Sequence, residues 1–141
     1  MAEYTAVAVQ TVAAGQNVLF NETHISPSRG VYHREGSGIV GLRGITGGQC
    51  RARYRVAFNG NLAVPTGGTV GPVSIAIAIA GEALPYATAI VTPAAVEEFF
   101  NVHVDTFVDV PCGCCANVSV ENVGTDPILV QNGNLIVERE C

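Results

Sequence analysis

Lysine and tryptophan are absent from this chain, methionine occurs once, and charged residues make up only 13% of its 141 positions. Without an ε-amine, Schiff-base chemistry, a Walker-type phosphate lysine and a lysine general base are all excluded. All seven cations are arginines, Arg29, Arg34, Arg43, Arg51, Arg53, Arg55 and Arg139, and the formal net charge is -5. That balance offers no basic footprint, so nucleic acid is not an expected partner. Long apolar runs are also lacking. Even "VSIAIAIAGEALPYATAIVTPAAV" is broken by Gly81, Glu82 and Pro85, short of the roughly 20 unbroken residues of a membrane helix. No membrane partner is expected. The opening "MAEYTAVAVQTVAAG" has no basic segment before an apolar one, and Glu3 stands where a signal peptide carries a cation; synthesis inside the cell is the expectation.

Apolar residues fill 48% of the sequence, punctuated by 16 glycines and 7 prolines. So much apolar side chain under so little charge implies that part of a subunit's surface is covered, most simply by further copies. The length suits one domain, residues 1–141, around one core.

The dominant period is two. In "CRARYRVAF", Cys50, Ala52, Tyr54, Val56 and Phe58 share one face and Arg51, Arg53 and Arg55 the other, the signature of a strand with a core side and a wet side. In "VSIAIAIA", Val73, Ile75, Ile77 and Ile79 oppose Ser74, Ala76, Ala78 and Ala80. "FNVHVDTFVDV" sets Phe100, Val102, Val104, Thr106, Val108 and Val110 against Asn101, His103, Asp105, Phe107 and Asp109. "YTAVAVQTV", "QNVLFNE", "RGVYHRE", "GIVGLRG", "ANVSVEN" and "NLIVERE" continue the habit. Asn59-Gly60, Gly81-Glu82 and Asn132-Gly133 are pairs that favour tight hairpins. About nine strands are expected on this spacing. "TPAAVEEFF" is the one helical candidate, with Thr92 as cap and Pro93 in the first turn. The predicted fold is all-β: a two-sheet antiparallel jelly-roll sandwich.

From Cys50 onward the order of elements resembles the tumour-necrosis-factor and complement globular-head superfamily, in particular the C-terminal domains of bacterial and phage collagen-like proteins. The stretches that carry the likeness are "CRARYRVAF" after a glycine-rich loop, "GPVSIAIAIAGEALP" and the terminal "NGNLIVERE"; "VAVQTVAAGQNVLFNE" resembles the first strands of small phage virion proteins. The resemblance implies a tumour-necrosis-factor-like homotrimer without catalytic residues, used as a capsid decoration or head-fibre knob on a phage shell. Its implied partners are the major capsid protein and, outwardly, a host-surface glycan. No Gly-X-Y tract is present to build a collagen stalk. A trimeric bacterial surface or spore-coat tip that binds a carbohydrate or receptor is the alternative, and a cupin-like metal enzyme the second.

The small face Ser74, Ala76, Ala78 and Ala80 is the candidate trimer interface, with Tyr54, Phe99 and Phe107 filling its gaps, or it meets only the opposite sheet of the same subunit. An interface of obligate size buries on the order of 2,000 Å2 or more. The row Arg51, Arg53 and Arg55 is a candidate contact for an anionic partner, or a solvated face paired with nearby glutamates. His103 and Asp105, beside Asn101, are candidates for an ion or a pH-sensitive contact, or for an ordinary polar ladder.

"PCGCC" places Cys112, Cys114 and Cys115 in four positions. Zinc sites pair their ligands two to four residues apart, and only Cys112 with Cys115 meets that rule. A redox pair belongs at a helix start, whereas the flanks here read as strands. The cluster is therefore read as a hairpin turn between two strands that carries partly buried free thiols, and a disulfide among Cys112, Cys114, Cys115 and Cys141 is a second reading. Glu97-Glu98 are adjacent and do not converge on one bond; His24 and His33 belong to no His-x-His pair, and neither a Gly-x-Ser-x-Gly elbow nor a phosphate loop occurs. No cofactor or metal is expected.

Overall fold

Alternation at period two builds strands along most of the chain. The structure, a computed structural model, describes residues 1–27, 29–45 and 51–140. Among the described residues, eleven strands run in the order β1 (Ala2–Ala6), β2 (Gln10–Val12), β3 (Glu22–Ile25), β4 (Val31–His33), β5 (Val40–Arg43), β6 (Arg51–Ala63), β7 (Val73–Ile79), β8 (Glu82–Val91), β9 (Phe100–Pro111), β10 (Cys115–Asn122) and β11 (Ile128–Glu140). One sheet has the order β3-β1-β11-β6-β9, with β2 also on β11; the other has β4-β5-β10-β7-β8. All pairings are antiparallel. From β5 to β11 the chain changes sheet at every connection except the β7–β8 hairpin, which is the winding of a jelly roll.

The inward faces supply the core. Tyr54, Val56 and Phe58 of β6 meet Ile75 and Ile77 of β7, Val118 and Val120 of β10 and Leu135 and Val137 of β11, all buried. Phe20 stands edge-on to Phe58 with centroids 6.3 Å apart, a favoured aromatic geometry.

Four expectations need correction. Asn59-Gly60 is not a turn: β6 runs through it, with Gly60 opposite Val102. A Cβ on Gly60 would lie 2.8 Å from the Phe58 ring, so the glycine makes room for an aromatic residue. Asn132-Gly133 is a bulge inside β11, where the register shifts between Gln131 and Asn134. Asn132 takes φ 54° and donates its N–H to the Val7 carbonyl at 3.2 Å; there β11 passes from β2 to β1 as partner. The third expected hairpin exists one residue earlier than the Gly81-Glu82 pair: Ala80 and Gly81 take the positive φ that the tightest hairpin turns require, and Glu82 already pairs with Ile79.

"TPAAVEEFF" forms bends and turns instead of a helix. Glu97 is left-handed and gives its N–H to the Val64 carbonyl at 2.7 Å, a contact outside the segment that a short helix cannot outweigh. "QNVLFNE" forms a strand only at its last residue, Glu22. Its Val18 donates to the Val120 carbonyl at 2.8 Å, while Val18 and Phe20 plug into the core.

Candidate functional site

The arginine row lies as the alternation requires, on the outward face of β6. In the β6–β9 register Arg53 stands opposite Asp109, and Asp105 is two residues from Arg55's own partner, Phe107. Arg53 grips Asp109 with two hydrogen bonds, 2.7 and 3.0 Å, and Arg51 lies 3.2 Å from the same carboxylate. Arg55 donates to Asp105 at 2.7 Å. The hydrogen bond from Arg53 holds the Asp109 carboxyl below the ordinary range, and that from Arg55 does so for Asp105. The row is thus a charge-matched ladder, but its acidic side is aspartate from β9 and not the expected glutamate.

His103 Nε2 lies 3.9 Å from the Asp105 carboxylate, and Asn101 is bonded to Asn61 at 3.1 Å, so the polar ladder describes this strand. Among the described residues no group of three or more His, Cys, Asp or Glu side chains could hold a metal ion. His24 lies 3.6 Å from Glu3, His33 Nε2 is 2.8 Å from the Ser37 carbonyl, and Glu97 and Glu98 are exposed in the β8–β9 connection.

Two parts of the expected interface are already closed within one subunit. Ala76 and Ala78 are 1% and 0% exposed, and Tyr54 is 0% exposed in the core, its hydroxyl donating to the Arg43 carbonyl at 2.7 Å. A side chain with no area open cannot lose area to a partner, so these three are corrected to interior residues. Ser74 and Phe99 are half-buried, while Ala80 and Phe107 are exposed. Ser74 and Phe107 belong to different sheets, on β7 and β9.

The surface that the sequence reading missed is on β8, the edge strand beside β9. Its small residues Ala87 and Ala89 face the core, whereas Tyr86 and Ile90 are 75% and 67% exposed. An amphipathic strand normally does the reverse. The signal was present in "YATAIV", where bulky and small residues alternate, but which set faces inward is decided by the close approach of neighbouring elements. Beside it, at the edge of the other sheet, β9 exposes Phe107 and Phe100.

Cys112, Cys114 and Cys115 are exposed on the tight turn joining β9 to β10. Cys114 donates to the Pro111 carbonyl at 3.0 Å and Gly113 has φ 78°, as a type II turn requires. The two strands belong to different sheets, so this is an inter-sheet turn and not the expected hairpin, and its cysteines are exposed where partial burial was expected. Cys114 and Cys115 are free thiols. Cys50 and Cys141 lie outside the described residues.

No protein-family profile matches the chain, and no curated protein matches it in sequence. Solved structures do match. The globular domain of zebrafish complement 1qA protein superposes with a TM-score of 0.55 at 10% identity, over 96% of this chain and 94% of that one. Murine APRIL, in a crystal structure at pH 5.0, gives 0.57 at 11% identity over 95% and 97%. The fold is therefore the tumour-necrosis-factor and complement-head type of jelly roll.

Proposed function

We propose that this chain is a non-enzymatic structural protein that works as a homotrimer, as a capsid decoration or head-fibre knob of a phage virion, made in the bacterial cytoplasm and carried on the particle. The observation that carries the assembly reading is the inverted β8 edge, with Tyr86 and Ile90 outward and alanines inward, next to the exposed Phe100 and Phe107 of β9. Large apolar side chains concentrated along two adjacent edges favour a protein partner. A cyclic trimer fits, because each subunit then offers two different surfaces to its neighbours. The virion role draws its support from the likeness of "VAVQTVAAGQNVLFNE" to small phage virion proteins. Phe107 stands in the ion-paired ladder, whose exposed charges give the rim of an interface its specificity.

The test is mass measurement in native buffer at micromolar concentration, followed by imaging of purified particles with and without the chain. A trimer is expected, and the double variant Ile90→Arg with Phe107→Arg is expected to run as a folded monomer. A wild-type monomer would overturn the assembly; particles unchanged in outline by loss of the chain would overturn the virion role. A cell or spore surface carrying the chain would establish the surface-tip reading instead.

A further inference from the structure

Where β6 leaves for β7 and β10 for β11, two loops enclose a cleft of about 440 Å3. That volume lies in the range of small-molecule sites. Both walls are built by specific bonds. On one side Gly68 donates to the Pro65 carbonyl at 2.9 Å and Gly67 has φ 84°, closing a type II turn. On the other, the wholly buried Asn122 gives its side-chain N–H groups to the Val12 and Asp126 carbonyls at 3.0 and 2.9 Å and accepts from the Gly124 N–H at 3.0 Å.

Into this cleft face Thr11, Thr66, Thr69, Thr125 and Asp126. Among the described residues, none of these five side chains makes a hydrogen bond or ion pair within the protein. Pro65, Pro72 and Pro127 supply rigid apolar wall between them, and the lining holds no arginine or histidine. Hydroxyls that both donate and accept, together with one carboxylate that accepts at two oxygens, match a ligand rich in hydroxyl groups. An anionic ligand would meet Asp126 with no opposing cation.

We propose that this cleft is a binding site for a neutral or amino sugar at the end of a glycan chain. Asp126 accepts from two adjacent sugar hydroxyls, the threonines complete the polar contacts, and the prolines pack against the C–H face of the ring. Preformed walls lower the ordering cost of such binding. The site goes beyond the assembly reading, because its two loops meet within the fold of a single subunit. It sits at the opposite end of β10 from the cysteine turn, eight residues or about 26 Å away.

Saturation-transfer NMR on the full chain tests it, with D-glucose, D-galactose and N-acetyl-D-glucosamine as probes and N-acetylneuraminic acid as the anionic comparison. Transfer to at least one of the first three is expected, weakened at least tenfold by Asp126→Asn and by the cleft-filling Thr69→Trp, with melting temperature unchanged. Absence of transfer from all three, equal transfer in both variants, or preference for N-acetylneuraminic acid would overturn the site. Native mass on the same samples reports separately on the trimer.

Discussion

Arg53 and Asp109, 56 residues apart in sequence, meet through two parallel hydrogen bonds of 2.7 and 3.0 Å on the open face of β6 and β9. This geometry ties the register of two long strands to a side-chain lock, because a slip of one residue would turn Arg53 to the core. Arg55 with Asp105 repeats the lock four residues along β9. The pairs are exposed, so salt weakens them and their share of stability is small.

Acid should remove that share. The arginine hydrogen bonds depress the native carboxyls of Asp105 and Asp109, so the unfolded state takes up protons first. The stabilisation is complete above the ordinary carboxylate value and fades as pH falls through the depressed native one. Urea midpoints taken between neutral pH and pH 3 should therefore fall less steeply in Asp105→Asn with Asp109→Asn than in the wild type. Identical slopes would show that the ladder contributes nothing to the acid response.

The architecture was legible where one chemical contrast repeats. Arginine against aromatic and aliphatic residues in β6, and aspartate against valine in β9, fixed which face is wet. Glycine-containing pairs were less informative: positive φ at Asn132 serves a bulge and Gly60 serves the Phe58 ring, and local sequence does not distinguish these uses from a hairpin. The ion pairs were half legible, since the arginine row could be read but its aspartate partners depend on a register set by distant contacts. The cleft was not legible at all, because its two loops meet only after both sheets have formed.

Gly44 offers a test of how the cysteine turn is docked. A Cβ there would lie 2.0 Å from the Pro111 carbonyl oxygen, which is backbone and cannot swing aside. Gly44 donates to the Cys114 carbonyl at 2.8 Å and accepts from the Gly113 N–H at 3.1 Å. Gly44→Ala should cost about 1–3 kcal/mol or more in urea unfolding, the range of overpacking. Gly113→Ala has open space around it but φ 78°, and should cost about 1–2 kcal/mol. A larger loss at Gly113 than at Gly44 would contradict the docking.

Asn122 should be the most sensitive polar residue of the cleft wall. Asn122→Ala leaves the Val12 and Asp126 carbonyls without their donor, a loss of about 1–3 kcal/mol for a buried group left unpaired. Asn122→Asp removes the same donors and buries a charge, which raises that carboxyl's pKa. Its deficit relative to wild type should therefore shrink as pH falls, opposite in sign to the aspartate ladder. A deficit that is independent of pH would mean that residue 122 is open to water.

Two buried tyrosines separate the value of a hydrogen bond from the value of a ring. Tyr54 bonds the Arg43 carbonyl at 2.7 Å, whereas the buried Tyr4 hydroxyl has no partner among the described residues, its ring lying 4.4 Å from that of His33. Burial pushes both hydroxyls to higher pKa. Replacement by phenylalanine keeps the packing and deletes only the oxygen. Tyr54→Phe leaves a carbonyl without its donor and should lower the melting temperature by several degrees, the equivalent of about 1 kcal/mol or more in a domain of this size. Tyr4→Phe removes a polar atom that gains nothing by being buried and should leave the melting temperature equal or higher. Equal losses in the two variants would show that Tyr4 is bonded through water, and that the His33 side of the core is wet.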